Sequence, residues 1–364
     1  MKNNRTFLEK LLDGAEVEWK KLCEVSEIEK GKQLNKALLT ETGEYPVING
    51  GINPSGYWHE YNNEANTIVI SQGGASAGYV NWMTTPFFAG AHAYVVKTNE
   101  TLVQKRYAYH FLKMNQVKFM QNQYGAGIPA LAKSDLANLL IPIPPLSVQT
   151  EIVKILDALT ALTSELTSEL TLRQKQYQYY REKLLSFDSL EQLNMGGAKK
   201  KLIDVAKIKN GKDWKHLGEG DIPIYGSGGI IGYVDTYSYD KPTVLIPRKG
   251  TITNIFYLEE PFWNVDTIYY TEIDTTQILP KYFYHFMKTV DLTKLDTGSG
   301  RPSLTQAILN EIPIFVPSIK EQQRIVSILD KFETLTNSIT EGLPLAIEQS
   351  QKRYEYYREL LLNF

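Results

Sequence analysis

The residues of this chain with the chemistry to act on a bound molecule are five histidines, one cysteine and several glycine-rich tracts. His59, His92, His110, His216 and His285 form no HExxH motif and no i,i+4 pair, so they show no recognisable metal-ligand spacing. His110 and His285 fall in aromatic helical segments, where a hydrogen-bonded structural histidine is the expectation. Cys23, being alone, excludes an internal disulfide and a cysteine-based zinc site, fits a reducing compartment, and reads as a small buried apolar residue. Gly73-Gly74-Ala75-Ser76-Ala77-Gly78 has the glycine spacing of a phosphate-binding loop, but Tyr79 and Val80 stand where lysine and serine or threonine belong. Gly226-Ser227-Gly228-Gly229-Ile230-Ile231-Gly232 misplaces the third glycine of a dinucleotide fingerprint. An Asn/Asp-Pro-Pro-aromatic tetrapeptide, of the kind amino-methylating enzymes use to hold a target base, is missing. The sequence therefore assigns no catalytic residue, no metal ligand and no cofactor.

What positions these residues is a framework written twice. Lys21-Leu22-Cys23-Glu24-Val25 is echoed by Lys201-Leu202-Ile203-Asp204-Val205, and Gly31-Lys32 by Gly211-Lys212. Thr67-Ile68-Val69-Ile70 matches Thr243-Val244-Leu245-Ile246, and Tyr107-Ala108-Tyr109-His110-Phe111 matches Tyr282-Phe283-Tyr284-His285-Phe286. Ile152-Val153-Lys154-Ile155-Leu156-Asp157 returns as Ile325-Val326-Ser327-Ile328-Leu329-Asp330, and Tyr177-Gln178-Tyr179-Tyr180-Arg181-Glu182 as Tyr354-Glu355-Tyr356-Tyr357-Arg358-Glu359. So many matches in one order establish a duplicated module. Each copy predicts short strands (Thr67–Ile70, Ala93–Val96; Thr243–Ile246, Ile268–Tyr270), then a helix near Tyr107–Lys113 or Tyr282–Lys288. A proline-rich exit follows, Ile141-Pro142-Ile143-Pro144-Pro145 or Ile312-Pro313-Ile314-Phe315-Val316-Pro317, which marks a boundary.

A long helix then closes each copy. The first is predicted over 148–187, with an apolar stripe through Ile152, Ile155, Leu159, Leu162, Leu166, Leu170, Tyr177, Tyr180 and Leu184. The second carries Ile325, Ile328, Phe332, Leu335, Ile339, Ile347, Tyr354, Tyr357 and Leu361, with a break expected near Gly342-Leu343-Pro344. The 3–4 alternation predicts a coiled-coil seam, and forty helical residues would span ~60 Å. Ordinary core helices are the competing reading. The fold class expected is α+β: two similar globular domains with small bent sheets, joined by two long antiparallel coiled-coil helices with internal pseudo-twofold symmetry, in a dumbbell. The domain limits read from the sequence are 1–146, 147–190, 191–319 and 320–364.

The paired patterns resemble the DNA-specificity subunit of type I restriction–modification systems over essentially the whole chain. The most specific stretch is Ile141-Pro142-Ile143-Pro144-Pro145-Leu146-Ser147-Val148-Gln149-Thr150-Glu151-Ile152-Val153, with the tail Gln174-Lys175-Gln176-Tyr177 through Leu184-Leu185-Ser186-Phe187. The second copy departs from it at Phe315-Val316-Pro317-Ser318-Ile319, and Glu321-Gln322-Gln323-Arg324-Ile325-Val326 restores it. The resemblance implies a non-catalytic reader of double-stranded DNA whose two target recognition domains each bind half of a split sequence. It implies that the helices act as spacer and as docking ground for two modification (methyltransferase) subunits and, through them, restriction subunits. S-adenosylmethionine and ATP would belong to those partners.

Composition fits a chain of this kind without proving it. The 364 residues are too many for one ordinary core, and a hydrophobic fraction of 43% suffices to build several. With 39 Lys+Arg against 41 Asp+Glu the net charge is −2, which excludes a globally basic DNA glove but not a local basic surface. The sequence contains no long apolar run, so a cytoplasmic protein without membrane association is expected. Phosphate contacts are expected from Lys30, Lys32 and Lys36 and from the cluster containing Lys209 and Lys212. Base reading is expected from Ser71-Gln72-Gly73-Gly74 and its counterpart around Arg248-Lys249-Gly250, since glutamine suits adenine edges and arginine guanine edges. Gly125-Ala126-Gly127 and Gly298-Ser299-Gly300-Arg301 are secondary candidates. Helix packing and partner docking fall to Ile152, Ile155, Leu159, Tyr177, Tyr180, Ile325, Ile328, Phe332, Tyr354 and Tyr357. A coiled-coil protein scaffold without DNA binding, and an enzyme such as a nuclease with an unrecognised site, are the alternatives.

Overall fold

The computed structural model describes residues 6–121, 129–186, 197–298 and 300–364, and its chain divides into two units. The first comprises Met1–Leu166 with Ile347–Phe364; the second is Thr167–Ala346. Among the described residues, no helix is long and apolar enough to cross a membrane.

The described residues of the first unit form nine strands: β1 (Glu18–Lys21), β2 (Ser26–Lys30), β3 (Tyr45–Ile48), β4 (Tyr57–Trp58), β5 (Thr67–Ser71), β6 (Val80–Met83), β7 (Phe88–Ala89), β8 (Ala93–Thr98) and β9 (Leu140–Ile143). They form a four-stranded sheet in the order β2-β8-β5-β6, a three-stranded sheet β4-β3-β7 and a two-stranded ribbon β1-β9. The second unit carries β10 (Gly197–Lys201), β11 (Ala206–Lys209), β12 (Ile222–Gly226), β13 (Gly229–Val234), β14 (Thr243–Pro247), β15 (Phe256–Leu258), β16 (Trp263–Asn264), β17 (Ile268–Ile273) and β18 (Pro313–Pro317). Its sheets are β11-β17-β14-β15, β13-β12-β16 and β10-β18, the same order strand for strand.

The central strand of each unit reads as an unbroken apolar run because both of its faces are covered. Ile68 and Ile70 of β5 join the cluster that holds Tyr107 and Phe111, while Val69 faces Ile48, Phe87 and Val95. In β14, Val244 and Ile246 face Tyr282 and Phe286, and Leu245 faces Phe262 and Ile268. Several tyrosines are buried rings with a paired tip: the Tyr107 hydroxyl donates to the Pro142 carbonyl (3.0 Å), and that of Tyr282 to Phe315 (2.9 Å).

The helices that matter for the site are α1 (Lys105–Met114), α2 (Leu146–Leu185), α3 (Pro280–Met287), α4 (Ile319–Asn337) and α5 (Gly342–Leu362). In the first unit α2 and α5 run antiparallel. Thr163 meets Ser350 (2.8 Å) near one end, and Leu361 and Leu362 share a core with Val148, Ile152 and Leu156 at the other. In the second unit α2 and α4 do the same: Tyr180 stacks on Phe332 (5.7 Å), and Leu185 shares a core with Ile325 and Leu329.

Several sequence expectations are corrected here. Ile152 and Ile325 are fully buried in the cores of their heads, and their partners there, Leu156 and Leu329, lie outside the expected stripe. Tyr180 and Leu162 are 41% and 40% exposed, so neither is a sealed seam position. Ile339 is outside any helix and 79% exposed. The break falls at 338–341, before Gly342, because the Ser338 N–H caps the Thr334 carbonyl (3.3 Å). Gly342 has φ +82°, and a Cβ there would stand 2.7 Å from the Thr334 oxygen, so glycine is required. Pro344 sits in the first turn of α5, where its missing N–H is harmless. The proline exits are the strands β9 and β18, paired with the first strand of their own unit. Cys23 is exposed, because Leu22 and Val25 take the buried positions of that helical turn.

Each long helix is tied to its head by a buried glutamine. The Gln149 side-chain oxygen accepts from the Gln104 N–H (2.9 Å), and its amide donates to the Leu102 and Pro144 carbonyls (2.9 Å each). Gln322 repeats this with the Leu279 N–H (2.8 Å) and the Gln277 and Pro317 carbonyls (3.0 and 2.8 Å). Both glutamines have no exposed surface. Leucine at either position leaves three backbone groups without a partner, so Gln149→Leu and Gln322→Leu are each expected to lose about 2–4 kcal/mol of stability, measured by urea denaturation.

Candidate nucleic-acid interface

The backbone of the two candidate reading loops is held by the same hydrogen bonds in both units. The Gln72 N–H donates to the His92 carbonyl (2.8 Å), as Arg248 does to Thr267 (2.9 Å). The Gly74 N–H donates to Pro129 (2.9 Å), as Gly250 does to Pro302 (3.0 Å). Leu131 returns a bond to the Gln72 carbonyl (2.8 Å), as Leu304 does to Arg248 (2.8 Å). Isolated bridges join Gly73 to Ala130 and Lys249 to Ser303. Three segments thus meet at one edge of each head, on the loops leaving β5 or β14.

The Gly-Lys pairs arrive at this edge by close approach. A Cβ on Gly31 would stand 2.2 Å from the Gly90 oxygen, and one on Gly211 2.0 Å from that of Val265, so only glycine fits. The following residues, Lys32 and Lys212, donate their N–H groups to Ala89 and Asn264 (2.9 Å each) and are exposed. Gly50 packs against the Gly73 carbonyl, and the Ser227 hydroxyl lies beside Gly250.

The other candidates differ in what they offer. Ser71 is 1% exposed and donates to the Gly51 carbonyl (3.1 Å), so it shapes the loop from beneath rather than facing outward. Gln72 is half-buried, with a side-chain oxygen that has no partner among the described residues. Gly73 and Gly74 are half-buried; Gly74 and Gly250 take positive φ of +87° and +82°. Arg248 is half-buried, donates to the Asp266 carbonyl (3.3 Å) and lies 5.9 Å over the Tyr269 ring. Lys249 and Arg301 are exposed, the former with its ammonium 3.8 Å from Asp266. Lys30 and Lys209 end β2 and β11, and Lys209 lies 3.4 Å from Glu272. Lys36 is exposed on a separate turn, Lys36–Leu38. The tract 125–127 and Ser299 lie outside the described residues.

Sequence reasoning missed the framework residues His92, Asp266 and Thr267, which lie far from their loops along the chain and follow no motif. It also missed a row of half-exposed apolar side chains on β13, Ile230, Ile231 and Tyr233, that leads to the Ser227 corner.

Away from this edge, each head helix is clamped to its long helix. The His110 Nε2–H donates to Asp157 (2.8 Å) and its Nδ1 accepts from the Tyr354 hydroxyl (3.1 Å), with the Arg106 guanidinium on the same carboxylate (2.7 Å). The His285 Nε2–H donates to Asp330 likewise (2.8 Å), with Lys281 in place of Arg106 (2.9 Å), but its Nδ1 has no partner among the described residues. Burial pushes both imidazoles below the usual histidine range, against the opposing pull of their aspartates. Burial alone would raise the Asp157 carboxyl, but the hydrogen bonds from His110 and Arg106 bring it below the ordinary value. His285, Asp330 and Glu333 hold ligand atoms within 4.8 Å of one another, yet Lys281 already supplies the positive charge beside Asp330.

The model of the type I restriction modification DNA specificity domain matches residues 15–173 and again 196–349. A Haemophilus influenzae chain named as a type I restriction enzyme specificity subunit is 46% identical, with the whole of both chains aligned. The type I restriction enzyme EcoR124I/EcoR124II specificity subunit of Escherichia coli is 34% identical over 99% of this chain and 97% of its own. Among solved structures, the type I restriction-modification S subunit from M. genitalium superposes with a TM-score of 0.65 at 25% identity, covering 96% of each chain.

The buried histidines give a pH dependence of stability. Their native pKa values lie below the unfolded value of about 6.5, so the unfolded chain takes up protons that the native chain resists. The stability present above pH about 6.5 is lost as pH falls through it toward the lowered native values. Urea midpoints are expected to fall between pH 7.5 and 5.5, and to fall less in the double variant His110→Gln, His285→Gln.

Proposed function

Because the chain belongs to the family of type I restriction–modification DNA specificity subunits, we propose that it reads one split duplex sequence through the two loop edges described above. Residues 1–146 and 191–319 are the two target recognition domains. Residues 147–190 and 320–364 are the helical segments that separate the half-sites and receive two modification subunits, with restriction subunits joining through them. As a specificity subunit the chain selects the sequence, and catalysis sits in the partner subunits.

The observation that carries this reading is the pairing of a common loop backbone with different side chains. Gln72-Gly73 and Arg248-Lys249 occupy equivalent places in equivalent hydrogen-bond networks, which is what two readers of unlike half-sites require. Gln72, whose buried side-chain oxygen has no partner among the described residues, would turn outward to accept a donor from a base edge, and Arg248 would present donors to guanine. Lys32, Lys212 and Lys249 would meet phosphates. Gly228 and Gly300 support the same edge: neither takes a positive φ, and a Cβ on either would meet nothing within 4 Å. Nothing among the described residues demands glycine there, whereas a duplex lying against the loops would.

Selection from a random duplex library, with the modification subunit present, should enrich two short blocks separated by a fixed gap; an ungapped motif would refute the reading. Arg248→Ala should relax one position in a single block, with a loss of about 1–3 kcal/mol at that base. Lys212→Ala should weaken all sequences alike and lower the salt slope by about 1. Gly228→Val should leave thermal stability unchanged and weaken DNA binding.

A further inference from the structure

The two head–helix clamps differ in one respect that points to a binding site. In the first unit the Arg106 guanidinium packs against two touching rings, 4.8 Å from the Trp82 centroid and 4.6 Å from that of Tyr109, and holds Asp157 at its end. The strand register places Trp82 opposite Ile68 and Tyr257 opposite Val244, so Tyr257 is the counterpart of Trp82. Tyr284 corresponds to Tyr109, Asp330 to Asp157 and Lys281 to Arg106.

The two rings stand almost as they do in the first unit. Tyr257 and Tyr284 have centroids 5.7 Å apart, against 5.6 Å for Trp82 and Tyr109. What packs against them differs. The Lys281 ammonium reaches Asp330 (2.9 Å) but stays 5.7 Å from the Tyr257 ring, and Lys288 stays 5.8 Å from Tyr284. Arg181, whose charge is felt at Tyr284, lies over Tyr177 instead (5.4 Å). A cavity of about 380 Å³ remains, lined by Tyr257, Tyr284, Lys281, Asp330 and Glu333 among others. Glu333 adds a carboxylate where the first unit has Thr160, and it accepts from the Tyr284 hydroxyl (3.1 Å).

We propose that this cavity is a guanidinium-binding pocket, filled by an arginine side chain that a protein partner presents to the second unit. A planar cation packed against two aromatic rings with a carboxylate at its end is an arrangement that arginine meets better than lysine. The chain's own first copy shows which chemistry the walls accept. The two carboxylates outweigh the lysine ammonium that reaches Asp330, so the cavity favours a cation. A partner arginine, its backbone carboxylate tied up in peptide bonds, avoids the repulsion that a free amino acid would meet at Glu333.

Calorimetric titration of the full chain with N-acetyl-arginine amide tests this. Saturable binding is expected, at least tenfold tighter than for N-acetyl-lysine amide or free L-arginine. Lys281→Arg should plug the cavity from within, abolishing that binding while keeping or raising the melting temperature. Glu333→Gln should weaken binding severalfold. Absence of saturable binding, equal affinity for the lysine amide, tighter binding of free arginine, or unchanged binding by Lys281→Arg would each overturn the proposal.

Discussion

The register between each head and its long helix rests on buried polar groups that have only one way to be satisfied. Apolar contacts such as those of Ile152 and Leu156 reward burial but tolerate small slides, because dispersion and hydrophobic burial are not directional. Gln149 does not tolerate them: one acceptor and two donors must meet a specific N–H and two specific carbonyls, with no water to substitute. The His110–Asp157 and His285–Asp330 bonds add a second fixed point about two turns along the helix. Two such points define both position and rotation. Everything further out in the head, down to the loops, inherits that placement through strands paired to one another.

This explains which parts of the molecule were legible in the sequence. The repeat aligned the strands and the reading loops correctly because both copies conserve the same apolar run and the same turn glycines. Gly31 and Gly211 were visible as a pattern, although their cause, a carbonyl some two ångströms from where a Cβ would be, was not. The helix seam was read less well, for a physical reason. α2 and α4 bury one set of residues against a head and another against a helix, so the 3–4 alternation mixes two faces. Leu156 and Leu329 then drop out of the stripe, while Leu162, on the seam by spacing, stays exposed. Ser71 was misjudged because burial at the strand end depends on the Gly51 carbonyl, twenty residues away. Gln149 and Asp157 were visible as motif and repeat positions, but their roles were not, since apart from Pro144 the partners named for them lie more than forty residues away.

Comparing the copies separates scaffold from specificity without any outside reference. Interactions that hold the heads together are duplicated almost bond for bond: the glutamine clamps, the histidine–aspartate pairs, the tyrosine tips and the loop bridges. Differences include the loop side chains, the ring pair beside the second clamp and the Nδ1 partner of the clamp histidine, which is Tyr354 for His110. Random drift would scatter differences over both scaffold and surface. Those at the loops, where side chains differ on a conserved backbone, are the pattern left when two copies keep one fold and acquire different ligands.

The near-neutral charge follows from the same division. A reader that must discriminate sequence gains little from extra phosphate attraction, which strengthens correct and incorrect sites alike. Here the cations at the loop edges are few, and Arg248, Lys249 and Lys209 are partly committed to Asp266 or Glu272. On the reading proposed above, those contacts would hold long side chains in place before a duplex arrives, lowering the entropy lost on binding and leaving less charge free for indiscriminate attraction. The same reading would leave part of the grip on the duplex to partner subunits, so that a chain binding weakly by itself could still discriminate well.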